Sequence, residues 1–439
     1  MRHKLKITIA FIILGLLAGP SLFAQVPRTI TLKEAVDLTL TYNKQLKADQ
    51  IRISDAIASV KAANEQRLPD AVVSGSYMYL PIRPSINLKS GSGSGNGGPA
   101  VNQAIYGIAN ISLPLYTAGK LKYGIESATY LEQALKLDAD NDREAIIMNT
   151  INACINLYKA HEAINLVKEN LVESQQRVKD LSNMEKNGLL ARNDLLKAEL
   201  QSSNIELTLL DAENNYKLAS VNVNLMMGLP EQTELIPDRS GIVFPSSIKT
   251  LEEYEQMALH NRKDIGAINF HKKAANTAVQ IARSDYYPNI ALTGGYIAAD
   301  IPKFLSITNA VNIGVGIKYN VGSLWKNKTK VQQAELKVQQ WQNTEDQLND
   351  NIRLEINSAY AAYLLTQKKI EVYQKSVEQA TENYRITKNK YDNSLATTTE
   401  LLDADIALLQ SRLSVTNAKA DSFLAYNKLL QTAGSLTNY

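Results

Sequence analysis

Between Ser323 and Asp392 the chain carries neither proline nor glycine, and from Asn351 to Tyr391 its small, apolar and tyrosine residues recur with a seven-residue period. Ile352, Ile356, Ala359, Tyr363, Thr366, Ile370, Tyr373, Val377, Ala380, Tyr384, Thr387 and Tyr391 alternate steps of four and three. That spacing belongs to a helix packed lengthwise on another helix. At 1.5 Å per residue the unbroken run would reach about 100 Å. A weak turn, Asn393-Ser394-Leu395-Ala396-Thr397, separates it from a second periodic run: Leu401, Ala404, Leu408, Ser411, Val415, Ala418, Ser422, Ala425 and Leu429. A single hairpin this long cannot cover its own seams, so it must pack against copies of itself.

One copy lies in the same chain. Thr31-Leu32-Lys33-Glu34 returns as Thr250-Leu251-Glu252-Glu253, and Leu68-Pro69-Asp70-Ala71 returns at the same offset as Tyr287-Pro288-Asn289-Ile290. Gly119 then matches Gly322, Tyr158 matches Tyr363, Lys186-Asn187-Gly188-Leu189 matches Asp392-Asn393-Ser394-Leu395, and Gly228 matches Gly434. The chain therefore reads as a tandem duplication of a helix, two strands, a long helix and a returning helix, because a repeat fixes architecture before any local signal does. The expected segments are a first repeat over 25–228, a Pro-rich linker over 229–249, a second repeat over 250–434 and a tail over 435–439.

Residues 1–24 read as a secretory leader: Arg2, Lys4 and Lys6, then the apolar run Ile7–Gly19, then Leu22-Phe23-Ala24 before a cleavage point at Gln25. An uncleaved anchor is the alternative, though the apolar run is short for a membrane span. The whole chain has 47 basic and 44 acidic residues, and losing those three leaves 44 against 44. A neutral mature chain has no global field to draw nucleic acid. Cys154 stands alone among Ile151, Ile155 and Leu157, so it forms no intramolecular disulfide and reads as a small buried hydrophobe.

Thr31–Arg67 reads as one helix, opened by Thr31 with Glu34 in a capping box and ended by Pro69. The period then falls to two, with strands expected near 71–81, 104–116, 289–300 and 310–320. Val73, Gly75, Tyr77 and Tyr79 share one face; Ile111, Leu113 and Leu115, Ile290, Leu292, Gly294 and Tyr296, and Val311, Ile313, Val315 and Ile317 supply the others. With Gly119 matched to Gly322, the second and fourth strands disagree by one residue, which requires a bulge or an indel. Ser90–Pro99, nearly all Gly and Ser, reads as an exposed loop. Lys120–Lys186 reads as the first long helix, with a seam through Ala153, Leu157, Val167, Leu171, Ser174 and Leu181. It turns at Asn187-Gly188 and returns over Asp194–Met227.

A soluble hairpin packed on the coil would explain the strands alone. The leader and the lack of a long apolar run favour a membrane barrel wall, whose strands have this length and alternation. Four strands cannot close a barrel, and open edges do not survive in lipid, so several chains must share one.

With that layout the chain resembles the TolC-like outer membrane efflux family over about residues 28–434. The resemblance rests on Leu113-Pro114-Leu115-Tyr116-Thr117-Ala118-Gly119, on both Pro-led strands, and on two helix tips: Asn187-Gly188-Leu189 with Asp194-Leu195-Leu196-Lys197-Ala198-Glu199, and Tyr391-Asp392-Asn393-Ser394 with Glu400-Leu401-Leu402-Asp403-Ala404. It implies a mainly α chain in a homotrimer, a twelve-stranded outer-membrane barrel, and a periplasmic tunnel of twelve helices. The tunnel would dock on a periplasmic adaptor and, through it, an inner-membrane pump exporting drugs, toxins or proteins.

No catalytic, metal or cofactor signature is visible. His3, His161, His260 and His271 lack ligand spacing, and the Gly-rich loop precedes no helix with Lys-Ser/Thr. Glu400 and Asp403, three apart past a tip, share a helical face. By resemblance they match an acidic pore constriction, where carboxylate rings attract cations; the plainer reading is a helix N-terminus favouring acids. Asp194 and Tyr391 match a hydrogen-bond pair that ties the closed tips. A second tie falls on Asn193 and Ala396, and Ala396 lacks the basic donor expected there. Gly188, Leu189, Ser394 and Leu395 are the expected adaptor-docking tips, and Ser394 stands where the family often has glycine. A coiled-coil adaptor or scaffold without a channel is the competing reading.

Overall fold

The structure is a computed structural model describing residues 28–82, 101–238, 247–302 and 305–436. The expected leader, the loop Ser90–Pro99, part of the expected linker and the last tail residues lie outside the described residues. In order, the elements are β1 (Arg28–Ile30), α1 (Leu32–Tyr42), α2 (Lys44–Glu65), β2 (Asp70–Tyr79), β3 (Gln103–Tyr116), α3 (Lys120–Lys186), α4 (Arg192–Met227) and β4 (Leu235–Pro237). The second half follows with α5 (Leu251–Asn261), α6 (Lys263–Ser284), β5 (Asn289–Ile301), β6 (Leu305–Lys318), α7 (Ser323–Asp392) and α8 (Thr398–Thr432). They form two compact units that cut across the duplication: one takes the chain up to Lys44 with Arg143–Gln256 and Glu355 onward, the other Gln45–Asp142 with Met257–Leu354.

The second unit contains an antiparallel sheet in the order β2-β3-β5-β6, so β3 and β5 join the hairpins of the two repeats. The ladder aligns Val73 with Ala109, Tyr296 and Val311, and Ala71 with Ile111, Gly294 and Ile313. Apolar residues thus share a face that is open in the single chain, with Val73 and Ile313 each 83% exposed. The one-residue disagreement between the second and fourth strands is a bulge. The register slips between Pro114 and Tyr116, so Tyr116 rather than Leu115 pairs with Ile290. The fourth strand also starts earlier than its alternation implies, at Leu305. It absorbs a second register shift opposite Ile297–Ala299 near Asn309, which has φ 58°.

In the first unit the expected seams are covered unevenly, and from Thr366 to Tyr391 the α7 seam is only half-buried. Ile352 lies just before the unit boundary; past it Ile356, Ala359 and Tyr363 of α7 are buried, as are Leu401, Ala404, Leu408, Ala418, Ser422 and Leu429 of α8. On α3, Ile147, Met148, Ile151 and Ile155 pack with Val36, Ala420, Phe423 and Leu436. On the other side Ala153 and Leu157 pack with Ile30, Ala35, Val223, Met227 and Leu235, and Cys154 lies against them. Burial pushes its thiol up to about 12.

Two expectations are corrected. Thr31–Arg67 is two helices, broken at Asn43 (φ −60°, ψ 127°), and Arg262 (φ −64°, ψ 129°) breaks the second repeat at the matching position. Asn competes locally with helical hydrogen bonding, but Arg262 does not, so position decides the break. The expected linker contains a strand: Leu235–Pro237 pairs in parallel with Arg28–Ile30, burying Leu235 and Ile30. Three residues are too few to show alternation. Among the described residues no helix is long and apolar enough to cross a membrane.

Candidate functional site at the hairpin ends

Both long helices of the first unit end in the same backbone device. At the end of α3, the Leu189 N–H donates to Met184 O (2.8 Å) and the Gly188 N–H to Glu185 O (2.9 Å), with Gly188 at φ 70°. At the end of α7, the Leu395 N–H donates to Lys390 O (2.7 Å) and the Ser394 N–H to Tyr391 O (2.9 Å), with Ser394 at φ 59°. Each is a Schellman cap, in which a left-handed residue lets the chain turn back on its last carbonyls. Asn187 and Asn393 repeat the match through their Nδ2 donors to Asn183 O and Asn389 O, both 2.7 Å. Leu189 and Leu395 project at the turns, 73% and 77% exposed.

The returning helices start differently. Ala191 caps α4 without a side-chain hydrogen bond, whereas Thr397 opens α8 with a capping box. The Glu400 N–H donates to Thr397 Oγ1 (3.3 Å), and the Thr397 N–H donates to Glu400 Oε2 (2.6 Å). The Thr397 backbone donor, then its hydroxyl and the charge of Lys390, hold the Glu400 carboxyl below the usual carboxylate range. Asp403, one turn on, is exposed.

The structure does not join Asp194 to Tyr391. Asp194 Oδ1 takes Lys197 Nζ (3.2 Å), and that ammonium also donates to Thr399 Oγ1 on α8 (3.2 Å). The Tyr391 ring packs on Leu181, Leu195 and Ala198, and its buried hydroxyl has no partner among the described residues. Lys197 stands one turn from Asp194, so the local ion pair forms without the second hairpin.

The first unit also holds a buried polar node that no sequence pattern marks. Arg177 Nη1 of α3 donates to Asp405 Oδ2 of α8 (2.9 Å), and its Nη2 donates to Tyr384 OH of α7 (3.1 Å). Asn170 Nδ2 donates to Asp405 Oδ1 (3.2 Å). The side chains are 11% exposed for Arg177 and 2% for Asp405. Burial alone would lower the guanidinium, but the Asp405 hydrogen bond and charge outweigh it and raise its pKa. The same α3–α8 seam carries Lys159 against Asp421 and Arg412 against Glu169. The only sequence signal was a pair of opposite charges beside two seams, and matching them requires the register of one hairpin on the other.

A family model described as outer membrane efflux protein matches residues 35–229 and 255–435. The chain belongs to the outer membrane efflux protein family. It is 23% identical over 395 residues to "Cation efflux system protein CusC" of Escherichia coli O157:H7, covering 87% of this chain and 81% of that one. It is 22% identical over 417 residues to "Toxin and drug export protein A" of Aggregatibacter actinomycetemcomitans, covering 90% and 84%. The fold is similar to that of the outer membrane protein VceC from Vibrio cholerae, with a TM-score of 0.75 at 20% identity, covering 92% of this chain and 96% of that one. Family and fold together make the chain an outer-membrane exit duct of the TolC-like type, and the adaptor reading falls. The long helices accordingly form its periplasmic tunnel and the strands its membrane wall.

Proposed function

We propose that three copies of this chain form one duct, and that its far end docks on a periplasmic adaptor leading to an inner-membrane pump. The carrying observation is an uncovered leucine stripe on α4. Leu196, Leu200, Leu207, Leu210, Leu218 and Leu225 are all exposed, yet they fall within about 80° of one another at 100° per residue. Such a stripe needs a partner helix. A second stripe on α7, Leu365, Val372 and Ile386, is also exposed and offers one on a neighbouring copy. The open edges of the sheet at β2 and β6 are closed by the same neighbours.

The tips Gly188, Leu189, Ser394 and Leu395 present the docking surface, since they put apolar side chains on exposed turns. Asp403 and Glu400 form the acidic constriction. Glu400 is held by its own cap, which leaves Asp403 as the freer carboxylate. The Tyr391 hydroxyl, stranded in one chain, finds Asp194 when the tips close in the assembled ring; a buried donor left alone costs about 1–3 kcal/mol. Cargo follows the pump, as the relatives' names span cation efflux and toxin and drug export.

The test is the variant Leu189→Asp with Leu395→Asp. Native mass measurement in detergent should still give three chains per particle, while export is lost. A single-chain wild-type particle, or unchanged export, contradicts the proposal.

A further inference from the structure

In the second unit the sheet hands over to helix between Lys318, the last residue of β6, and Ser323, the first of α7. Asn320 shapes that turn: its Oδ1 accepts from the Gly322 N–H (3.2 Å), and its carbonyl accepts from the Ser323 N–H (2.9 Å) and hydroxyl (2.7 Å). Against it lies Asp285, just past α6, whose carboxylate takes Lys120 (2.7 Å) and Lys330 (3.6 Å). Burial would raise this carboxyl, but the two lysines hold it below the usual range. Together they bound a pocket of about 230 Å³ lined by Asp285, Asn289, Lys318, Lys326, Asn327 and Lys330.

Two features of the pocket are unbalanced. Lys318 and Lys326 are exposed and have no ion-pair partner among the described residues. Asn327 is only 1% exposed; its Nδ2 donates to Ala282 O (2.6 Å), while its Oδ1 is buried and accepts from nothing among the described residues. The site thus offers cations for an anion and one acceptor for a donor. The apolar face of β6 ends at Ile317, and the exposed amphipathic rings of Tyr287, Tyr319 and Trp325 follow, interleaved with Val321, Leu324 and the lysines. Aromatic rings beside an apolar band mark the level of lipid headgroups.

We propose that this pocket binds the headgroup of a phospholipid in the leaflet on the helix side of the sheet, one bearing both a phosphate and a primary amine. The phosphate is neutralised by Lys318 and Lys326, and the ammonium donates to Asn327 Oδ1. The inference rests on the sheet being a membrane wall, so insertion must be read separately from lipid binding.

Full-length protein is offered mixed micelles containing phosphatidylethanolamine, phosphatidylcholine and phosphatidylglycerol, and retained lipid is counted by native mass spectrometry. Wild type should retain phosphatidylethanolamine in preference to phosphatidylcholine, whose choline has no N–H. Lys318→Gln with Lys326→Gln should lower retention by about fivefold for each lysine removed. Lys122→Gln, on α3 outside the pocket, should change nothing. Equal retention in the double variant, or no preference for the amine, overturns the site. Displacement by free phosphoethanolamine without acyl chains replaces the lipid with a soluble ligand and overturns the source. Heat-modified migration reports insertion independently: its loss in wild type overturns the membrane wall itself, whereas its presence without lipid retention overturns the headgroup site alone.

Discussion

The two hairpin ends began as copies, and each keeps the part of the turn that the other has lost. At the first, Gly188 occupies the left-handed position at little cost, but Ala191 gives α4 no side-chain cap. At the second, Ser394 is forced to φ 59°, while Thr397 and Glu400 build a complete capping box. A left-handed non-glycine residue costs about 1–2 kcal/mol, and a good N-cap returns a similar amount. The two ends therefore reach the same fold with different weak points: the start of the return helix at the first, the turn itself at the second. The second end is also anchored from behind. Asp405, two turns into α8, is buried on Arg177, so the second hairpin is tied to the first through the second's return helix.

Breaking that anchor should have the largest effect. Asp405→Ala leaves the Arg177 charge buried and alone, which costs about 3–5 kcal/mol. Amide exchange should accelerate along the first turns of α8 far more than at α4; equal changes at both ends would show that the node does not favour the second. A smaller loss, about 0.5–2 kcal/mol, is expected for Thr397→Ala. That loss should be visible at neutral pH and shrink in acid. The Glu400 carboxyl is held low in the folded chain, so its support is present above the ordinary carboxylate range and disappears as pH falls through the depressed value. The smallest change is a gain. Ser394→Gly should stabilise the second turn by about 1 kcal/mol and Gly188→Ser should weaken the first by a similar amount, read as opposite shifts in local exchange. Matching losses from both would mean that Ser394 is not strained.

The duplicated plan was legible because it depends on period and offset. The Ile352–Tyr391 seam, the Asn187-Gly188 turn and the bulge behind the one-residue strand mismatch all leave a trace along one segment. What stayed hidden depends on how segments lie against each other. Arg177 meets Asp405 only once α3 and α8 are in register, and Lys197 takes Asp194 before Tyr391 can. The breaks at Asn43 and Arg262 share a position in the repeat but no residue type, so composition could not mark them. The sequence allows Glu400 to be a pore carboxylate or a cap acid; the structure shows the cap, and the pore role is a proposal centred on Asp403.

That proposal makes the reversal potential of single channels, recorded for the full chain in a planar bilayer under a salt gradient, the most direct measurement. Exposed carboxylate rings favour cations, and salt screens them. The account predicts discrete, cation-selective conductance that weakens at high ionic strength and loses most of its selectivity in Asp403→Asn, with Glu400→Gln changing it less. Absence of conductance, or selectivity unchanged by Asp403→Asn, would contradict it.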